Sequence, residues 1–363
     1  MSKFKESYAR QLEMYKSADN FNQFYKVQKA FTTAPPPNFI FKKYKLKLGF
    51  FLKELGIRKF ENIEKYFTEL EFVYDKLETE ESKDLFIKLL LFRKLGHSKV
   101  QLPLCNDEYI NGIEQIRKLA NCTESIDPNF LAWKLCKFDL TSIGYDITLF
   151  FEPASVYIEF VLNPYRYNKN GVTVKCEEND IVIDAGGCWG DTALNFASEL
   201  GENGKVYSFE FIPGNVNIMR KNFSLNKELE KRIEIVEHPV WNESDVKMYC
   251  NDFGPASTIQ ADYSEVHNIE ITTISIDDFV SRNNIKKIDF IKMDIEGAET
   301  FALKGAIETI KKFKPKLAIS VYHSLTDFFE IPELIDGLNL GYKFYLGHFT
   351  HMAGETVLYA KAG

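Results

Sequence analysis

Beyond about residue 150, short apolar runs alternate with stretches in which apolar residues recur every three or four positions. The runs cover residues 181–184, 205–210, 233–236, 289–294 and 316–321, and each is too short for a helix and carries β-branched or aromatic residues. Strands alternating with helices predict a parallel sheet covered on both faces. Two further strand-like runs, 342–346 and 355–360, are separated by a short loop and predict an antiparallel hairpin at the edge of that sheet.

The first 140 or so residues have another texture. Segments 60–72 and 83–95 place apolar residues at helical spacing between charges, and alternating runs are scarce. Pro35, Pro36 and Pro37 in succession break any helix and mark a stiff, extended connection. The expected organisation is a mainly helical region over residues 1–145 followed by an α/β domain over residues 146–363. Neither contains an internal repeat or a low-complexity tract.

Composition narrows the function classes. With 363 residues, 45% hydrophobic and 27% charged, and with 31 Phe and 18 Tyr, the chain can bury substantial cores. Its net charge of -7 argues against a whole-protein nucleic-acid surface. Cys105, Cys122, Cys136, Cys176, Cys188 and Cys250 form no CxxC pair and no metal-ligand spacing, and a chain of this size needs no disulfide framework. Free thiols in a reducing, cytoplasmic compartment are therefore expected. The first twenty or so residues have no apolar core of a signal peptide, and no segment approaches the roughly eighteen apolar residues of a membrane span. Residues 41–60, FKKYKLKLGFFLKELGIRKF, hold seven basic residues against one acid. That mixture suits weak contact with an anionic membrane surface, although Gly49 and Gly56 weaken a continuous amphipathic helix and a solvated helix face is the plainer reading.

The chemistry begins at residues 181–197, IVIDAGGCWGDTALNFA. A strand ending in Asp184 runs into Gly186, Gly187 and Gly190, and a helix follows with Ala193, Phe196, Ala197 and Leu200 on one face before Gly201 stops it. Glycines let backbone turn sharply and approach a ligand, and the free N–H groups at the helix start favour an anionic group. Dinucleotides and S-adenosylmethionine both use this arrangement. Ala185, Gly187 and Gly190 loosely imitate dinucleotide spacing, with Glu210 twenty residues beyond Gly190 and placed for ribose hydroxyls. Asp184 tips the balance: a carboxylate before the turn repels a pyrophosphate and favours a ligand bearing an ammonium and a sulfonium. A reversed last strand points the same way by fold analogy. A turn serving only strand–helix packing is the bland alternative.

A second constellation lies in residues 288–306, IDFIKMDIEGAETFALKGA. Lys292, Asp294 and Glu296 alternate at the end of a predicted central strand, so extended backbone would project them to one side, and strand C-termini are where such sheets bind ligands.

Taken together, IVIDAGGCWGDTALNFA, the acid-ended strand KVYSFEFIPGN and IDFIKMDIEGAETFALKGA make the chain resemble the FkbM-type S-adenosylmethionine-dependent methyltransferases over about residues 165–360. The resemblance implies a class I methyltransferase (Rossmann-like) fold, a seven-stranded mostly parallel sheet with a C-terminal antiparallel hairpin, and O-methylation of a sugar, glycan or other small hydroxylated acceptor. It makes Asp184, Gly186, Gly187, Gly190 and Thr192 the methionyl end of the cofactor site, places Glu210 on the ribose, and sets Phe211 and the segment His238-Pro239-Val240 beside the adenine. Gly187 and Cys188 depart from the commoner glycine-alanine-asparagine turn.

Methyl transfer to oxygen needs an aligned acceptor and a nearby base. Asp294 is the first candidate, also bordering the cofactor, with Lys292 holding charge, His323 as a second base and Glu296 assisting. Plainer readings stand beside these: a structural Lys292–Glu296 ion pair, Glu299 as an ordinary first-turn acid, His323 as a satisfied histidine, His348 and His351 as loop residues, and His238 shaping the cofactor loop. Asp294, Glu296 and His323 also permit a divalent metal, though the spacing is not diagnostic and no metal site is assigned. Two other functions remain: a catalytically weak scaffold that docks partners or membranes, and an NAD-dependent oxidoreductase.

Overall fold

The computed structural model describes residues 2–31, 61–131 and 133–363. The basic segment 41–60 and the proline triplet 35–37 lie outside the described residues. Seven strands, β1 (Ile181–Ala185), β2 (Lys205–Phe209), β3 (Ile233–Val236), β4 (Phe290–Met293), β5 (Lys316–Ser320), β6 (Tyr342–His348) and β7 (Thr356–Ala362), form one sheet. Its order is β6-β7-β5-β4-β1-β2-β3. β1 to β5 run parallel, β7 is antiparallel to β5, and β6 is antiparallel to β7. All seven runs read from the sequence are strands here, with ends shifted by no more than two residues.

Burial explains why the apolar runs read so clearly. Every residue of β4 is buried, as are the last four of β1. Consecutive buried residues in a strand require both faces to be covered, the condition of a parallel sheet wrapped in helices. The helix Asp191–Glu199 after β1 presents Ala193, Phe196 and Ala197 to the core, and Leu200 beyond its end is buried as well. Chain order reverses between β1 and β4, so the C-terminal ends of these two strands flank the crevice where such sheets hold ligands.

The N-terminal helices share this core. Thr79 caps the helix Glu80–Leu95 by accepting from Ser82 N, and that helix lies along β6, where Ser82 Oγ accepts from Leu346 N at 3.1 Å. Just before it, Glu78 N donates to Phe344 O at 3.0 Å. These contacts occupy the outer edge of β6, an edge that would otherwise offer unpaired backbone groups.

Two features differ from the sequence expectation. Strands Asn121–Ile126, Leu135–Asp139 and Thr148–Phe151 form a small antiparallel sheet that crosses the expected boundary at residues 145–146. Its first strand is exposed along nearly its whole length, so it carries no alternation to read. That sheet also brings Cys122 and Cys136 onto neighbouring strands with Cα atoms 4.5 Å apart, and they are disulfide-bonded, contrary to the expectation of six free thiols. Cys105, Cys176, Cys188 and Cys250 are free. No helix among the described residues is long and apolar enough to cross a membrane.

His348 and His351 are buried rather than exposed in the loop. His348 Nδ1 lies 2.9 Å from Thr356 Oγ1 and His351 Nε2 lies 2.8 Å from Gln28 Oε1. Burial pushes both imidazoles down to about 3. A folded-state value below the unfolded one means stability is present above about pH 6.5 and is lost as pH falls toward 3. Urea midpoints at pH 7 and pH 4 test this: the wild type should lose stability at pH 4, and His351→Gln should lose less. Equal losses would contradict the assignment.

Candidate functional site

The loop after β1 is shaped by what surrounds it. Gly186 N and Gly187 N both donate to Phe209 O, at 3.1 and 2.9 Å, tying the turn to the end of β2. Gly186 has φ of 90°, and a Cβ there would stand 1.9 Å from the Asp294 carbonyl oxygen. A Cβ on Gly187 would stand 2.1 Å from Ser208 Oγ. The neighbouring strands thus dictate glycine at both positions. Trp189 anchors the far side of the turn, fully buried, with Nε1 donating to Asn215 Oδ1 at 3.0 Å.

Asp184 and Lys292 are register partners on β1 and β4. Lys292 Nζ lies 3.1 Å from Asp184 Oδ1 and donates to Gly186 O at 2.7 Å and Ala185 O at 3.2 Å. The other carboxylate oxygen, Oδ2, accepts from Thr192 Oγ1 at 3.0 Å and Ser208 Oγ at 2.6 Å. Burial alone would lower the lysine's pKa, but Asp184 and Asp294 hold it above its ordinary value. The sequence reading set Asp184 against the cationic groups of a ligand; here its carboxylate is instead paired with Lys292, which pairs with Asp184 rather than with Glu296. Neither residue lines the adjoining cavity.

That cavity, about 220 Å³, runs along the C-terminal ends of β1, β2 and β4. Of the expected residues, Gly186, Glu210, Phe211, Pro239, Val240, Asp294 and Glu296 line it, as does His238. Gly187, Gly190, Thr192 and His323 do not. Glu210 Oε1 accepts from Phe211 N and Ile212 N, both at 2.8 Å. Burial outweighs these hydrogen bonds and raises its pKa to about 7. The 238–241 segment is fixed from behind: Ile274 N donates to Pro239 O at 3.0 Å and Trp241 N to Ile274 O at 3.0 Å.

At the other end, Asp294 is surrounded by donors. Tyr165 Oη donates to Oδ2 at 2.9 Å, Tyr322 Oη lies 3.1 Å from both oxygens, and His323 Nε2 lies 3.4 Å from Oδ1. The opposite face of the imidazole has Nδ1 3.2 Å from Glu299 Oε1, and Nε2 is 3.7 Å from Glu296 Oε2. Burial would depress the His323 pKa, but Glu299, Glu296 and Asp294 together raise it to about 10. A doubly protonated imidazole has no lone pair to accept a proton. Among the described residues, Asp294, Glu299 and His323 are also a set whose ligand atoms lie within 4.8 Å of one another, which replaces Glu296 by Glu299 in the metal reading.

Sequence reasoning missed Tyr165 and Tyr322. Tyr322 sits beside His323 and was open to the same strand-end argument, whereas Tyr165 precedes β1 on a segment with no motif. It also missed Glu159, in the π-helical stretch Tyr157–Leu162, whose buried carboxyl accepts from Asn195 Nδ2 at 2.9 Å. Burial and the neighbouring Asp191 raise the Glu159 pKa well above the ordinary range.

The strand order, reversed last strand and glycine turn define a class I methyltransferase fold. Residues 175–344 match the methyltransferase FkbM domain. No curated protein matches it. Among solved structures it is similar to the methyltransferase FkbM of Methylobacillus flagellatus at 18% identity and a TM-score of 0.49, over 82% of this chain and 59% of that one. It is also similar to Aeropyrum pernix fibrillarin in complex with S-adenosyl-L-methionine, at 11% identity and a TM-score of 0.35, over 63% of this chain and 89% of that one. A third is an S-adenosylmethionine-dependent O-methyltransferase of Thermotoga maritima, at 12% identity and a TM-score of 0.33, over 62% and 69%.

The Asp184–Lys292 pair gives a direct test. Removing one partner of a buried pair strands the other charge and typically costs about 3–5 kcal/mol. Asp184→Asn and Lys292→Met should each destabilise the fold by about that much in denaturant titrations, and the double variant should lose clearly less than their sum. Additive losses would show that the two side chains act independently.

Proposed function

We propose that the chain is an S-adenosylmethionine-dependent methyltransferase acting on a hydroxyl of a sugar or other small hydroxylated acceptor. One observation carries the reading: the cavity has the carboxylate of Glu210 at one end, those of Asp294 and Glu296 at the other, and no Lys or Arg among its described lining residues. Among the described residues a dinucleotide's pyrophosphate finds no basic partner there, whereas a ribose diol and a cationic sulfur centre match the carboxylate acceptors present. The dehydrogenase alternative is the weaker one for that reason.

Residues sort into roles along the cavity. Glu210, fixed by two backbone N–H groups, is placed to accept from ribose hydroxyls, and Phe211, Pro239 and Val240 offer an apolar border to a purine. The Asp184–Lys292 pair holds the glycine turn in shape without reaching the ligand. Bound S-adenosylmethionine would supply an electrophilic methyl group. Asp294, its carboxylate oriented by Tyr165, Tyr322 and His323, positions the acceptor hydroxyl and takes its proton. His323 stays protonated and steadies the carboxylates around it. The Cys122–Cys136 disulfide runs against the reducing, cytoplasmic compartment expected from the sequence.

Calorimetry with S-adenosylhomocysteine tests the reading, and a saturable heat is expected where NADH gives none. Absence of that heat would favour a degenerate scaffold. Because Glu210 titrates near 7, affinity should rise as pH increases through about 7 and its carboxylate forms, and Glu210→Gln should abolish that dependence. Once an acceptor is in hand, Asp294→Asn should lower kcat by about a hundredfold or more, with affinity for the neutral S-adenosylhomocysteine little changed. Turnover should persist in the presence of a chelator.

A further inference from the structure

Two aromatic residues outside the cavity back its walls, and both lie between the bonded cysteines. Cys122 is on the exposed strand Asn121–Ile126 and Cys136 on the mostly buried strand Leu135–Asp139, 14 positions later. Between them Phe130 is only 2% exposed. Its ring meets Phe253 edge-on with centroids 5.1 Å apart and Trp133 with centroids 5.2 Å apart, and Trp133 in turn meets Trp189 at 6.2 Å. Asn129 and Leu131, on either side of Phe130, take left-handed backbone with φ of 54° and 51°. That conformation is costly for leucine and persists only where the surroundings enforce it.

Both contacts lead to the cavity. Phe253 precedes Gly254 and Pro255, which line it, and a Cβ on Gly254 would stand 3.1 Å from the Cβ of Phe130, so the phenylalanine packs directly behind that wall. Trp189 belongs to the glycine turn and donates to Asn215 Oδ1 at 3.0 Å. Asn215 lines the cavity and hydrogen-bonds the Glu210 carboxylate.

Packing anchors one side of this loop better than the other. Leu135, Cys136 and Phe138 are buried, whereas the strand Asn121–Ile126 is exposed and pairs with its neighbour through three register partners, interrupted by a shift between Asn121 and Ser125. The disulfide ties the loosely held strand to the anchored one. We propose that Phe130 and Trp133 are positioning residues for the cofactor cavity and that the Cys122–Cys136 disulfide keeps them in place, so that its reduction weakens binding of the methyl donor. This rests on the reading of the cavity as a methyl-donor site and adds a redox dependence to it. Opening the ring lets the loop sample conformations in which the two aromatics leave the wall, and affinity falls with the fraction of molecules still in the competent arrangement. The reaction needs a dithiol. Its thiolate attacks the sulfur of Cys122, on the exposed strand, the S–S bond breaks, and Cys136 leaves as a thiolate that takes a proton. The reductant's second thiol then displaces Cys122, so two electrons and two protons end on the cysteine pair and the reductant closes its own disulfide. Cys105, Cys176, Cys188 and Cys250 are already free thiols and are unchanged by this.

Calorimetry with S-adenosylhomocysteine on the whole chain, before and after reduction by dithiothreitol, tests this. Reduction should weaken binding by at least about fivefold, the lower end of ordinary coupling between two sites, with the circular dichroism spectrum retained. The coupling is reciprocal, so saturating S-adenosylhomocysteine should raise the ratio of reduced to oxidised dithiothreitol at half reduction by that same factor. The double variant Cys122→Ser, Cys136→Ser should bind as the reduced wild type does and ignore the reductant. In the oxidised protein Phe130→Ala should reproduce the loss, and Phe130→Leu should restore most of the affinity. Equal affinity of the oxidised and reduced wild type, or a half-reduction ratio that the ligand does not move, would overturn the proposal whatever the variants do. Loss of the folded spectrum on reduction would also overturn it, because the disulfide would then hold the fold rather than the cavity. Failure of the oxidised protein to bind S-adenosylhomocysteine at all would bring down the methyl-transfer reading, and this inference with it.

Discussion

A buried ion pair across two neighbouring parallel strands holds the site in shape. Asp184 and Lys292 face each other in register on β1 and β4, and the lysine's remaining hydrogens reach the first two carbonyls of the glycine turn. Removing two charges from water is costly unless their hydrogen bonds are met. Here Thr192 and Ser208 complete the carboxylate, and Ala185 and Gly186 complete the ammonium. The turn's conformation, its tie to β2 through Phe209 O, and the approach of Gly186 to the Asp294 carbonyl all follow from that arrangement.

With the internal cation and anion consumed by each other, the cavity beside them is left to a different set of acids. Glu210 closes one end, while Asp294 and Glu296 close the other, and the imidazolium of His323 lies behind rather than within. The division of labour is physical. Charges that define the scaffold are buried and paired, whereas Asp294 and Glu296 on the cavity wall are partly exposed.

Much of this was legible in the sequence. Strands of a parallel sheet buried on both faces are rich in apolar residues, so 181–185 declares itself, and the acids at or just beyond the ends of β1, β2 and β4 stand out because they interrupt such runs. Other parts were hidden for equally physical reasons. Periodicity ranks residues by burial and not by partner, so it placed Lys292 at the strand end but offered Glu296 as its partner in place of Asp184. Asn121–Ile126 lies almost wholly exposed and shows no pattern, and without that strand the approach of Cys122 to Cys136 could not be foreseen. His348 and His351 looked like loop residues, but His348 ends β6 opposite Thr356 in the hairpin and His351 reaches Gln28, 323 residues away in the chain. Tyr165 reaches Asp294 across 129 residues of chain, a distance no local motif spans.

The central claim is that a cationic methyl donor lies along the acid-lined cavity, with its ribose at Glu210 and its sulfur toward Asp294. A crystal structure of the protein soaked with S-adenosylhomocysteine tests this most directly. The account predicts both ribose hydroxyls within hydrogen-bond distance of the Glu210 carboxylate, and the sulfur on the Asp294 side of Gly186. Density for the ligand outside this cavity, or with the ribose turned away from Glu210, would contradict it.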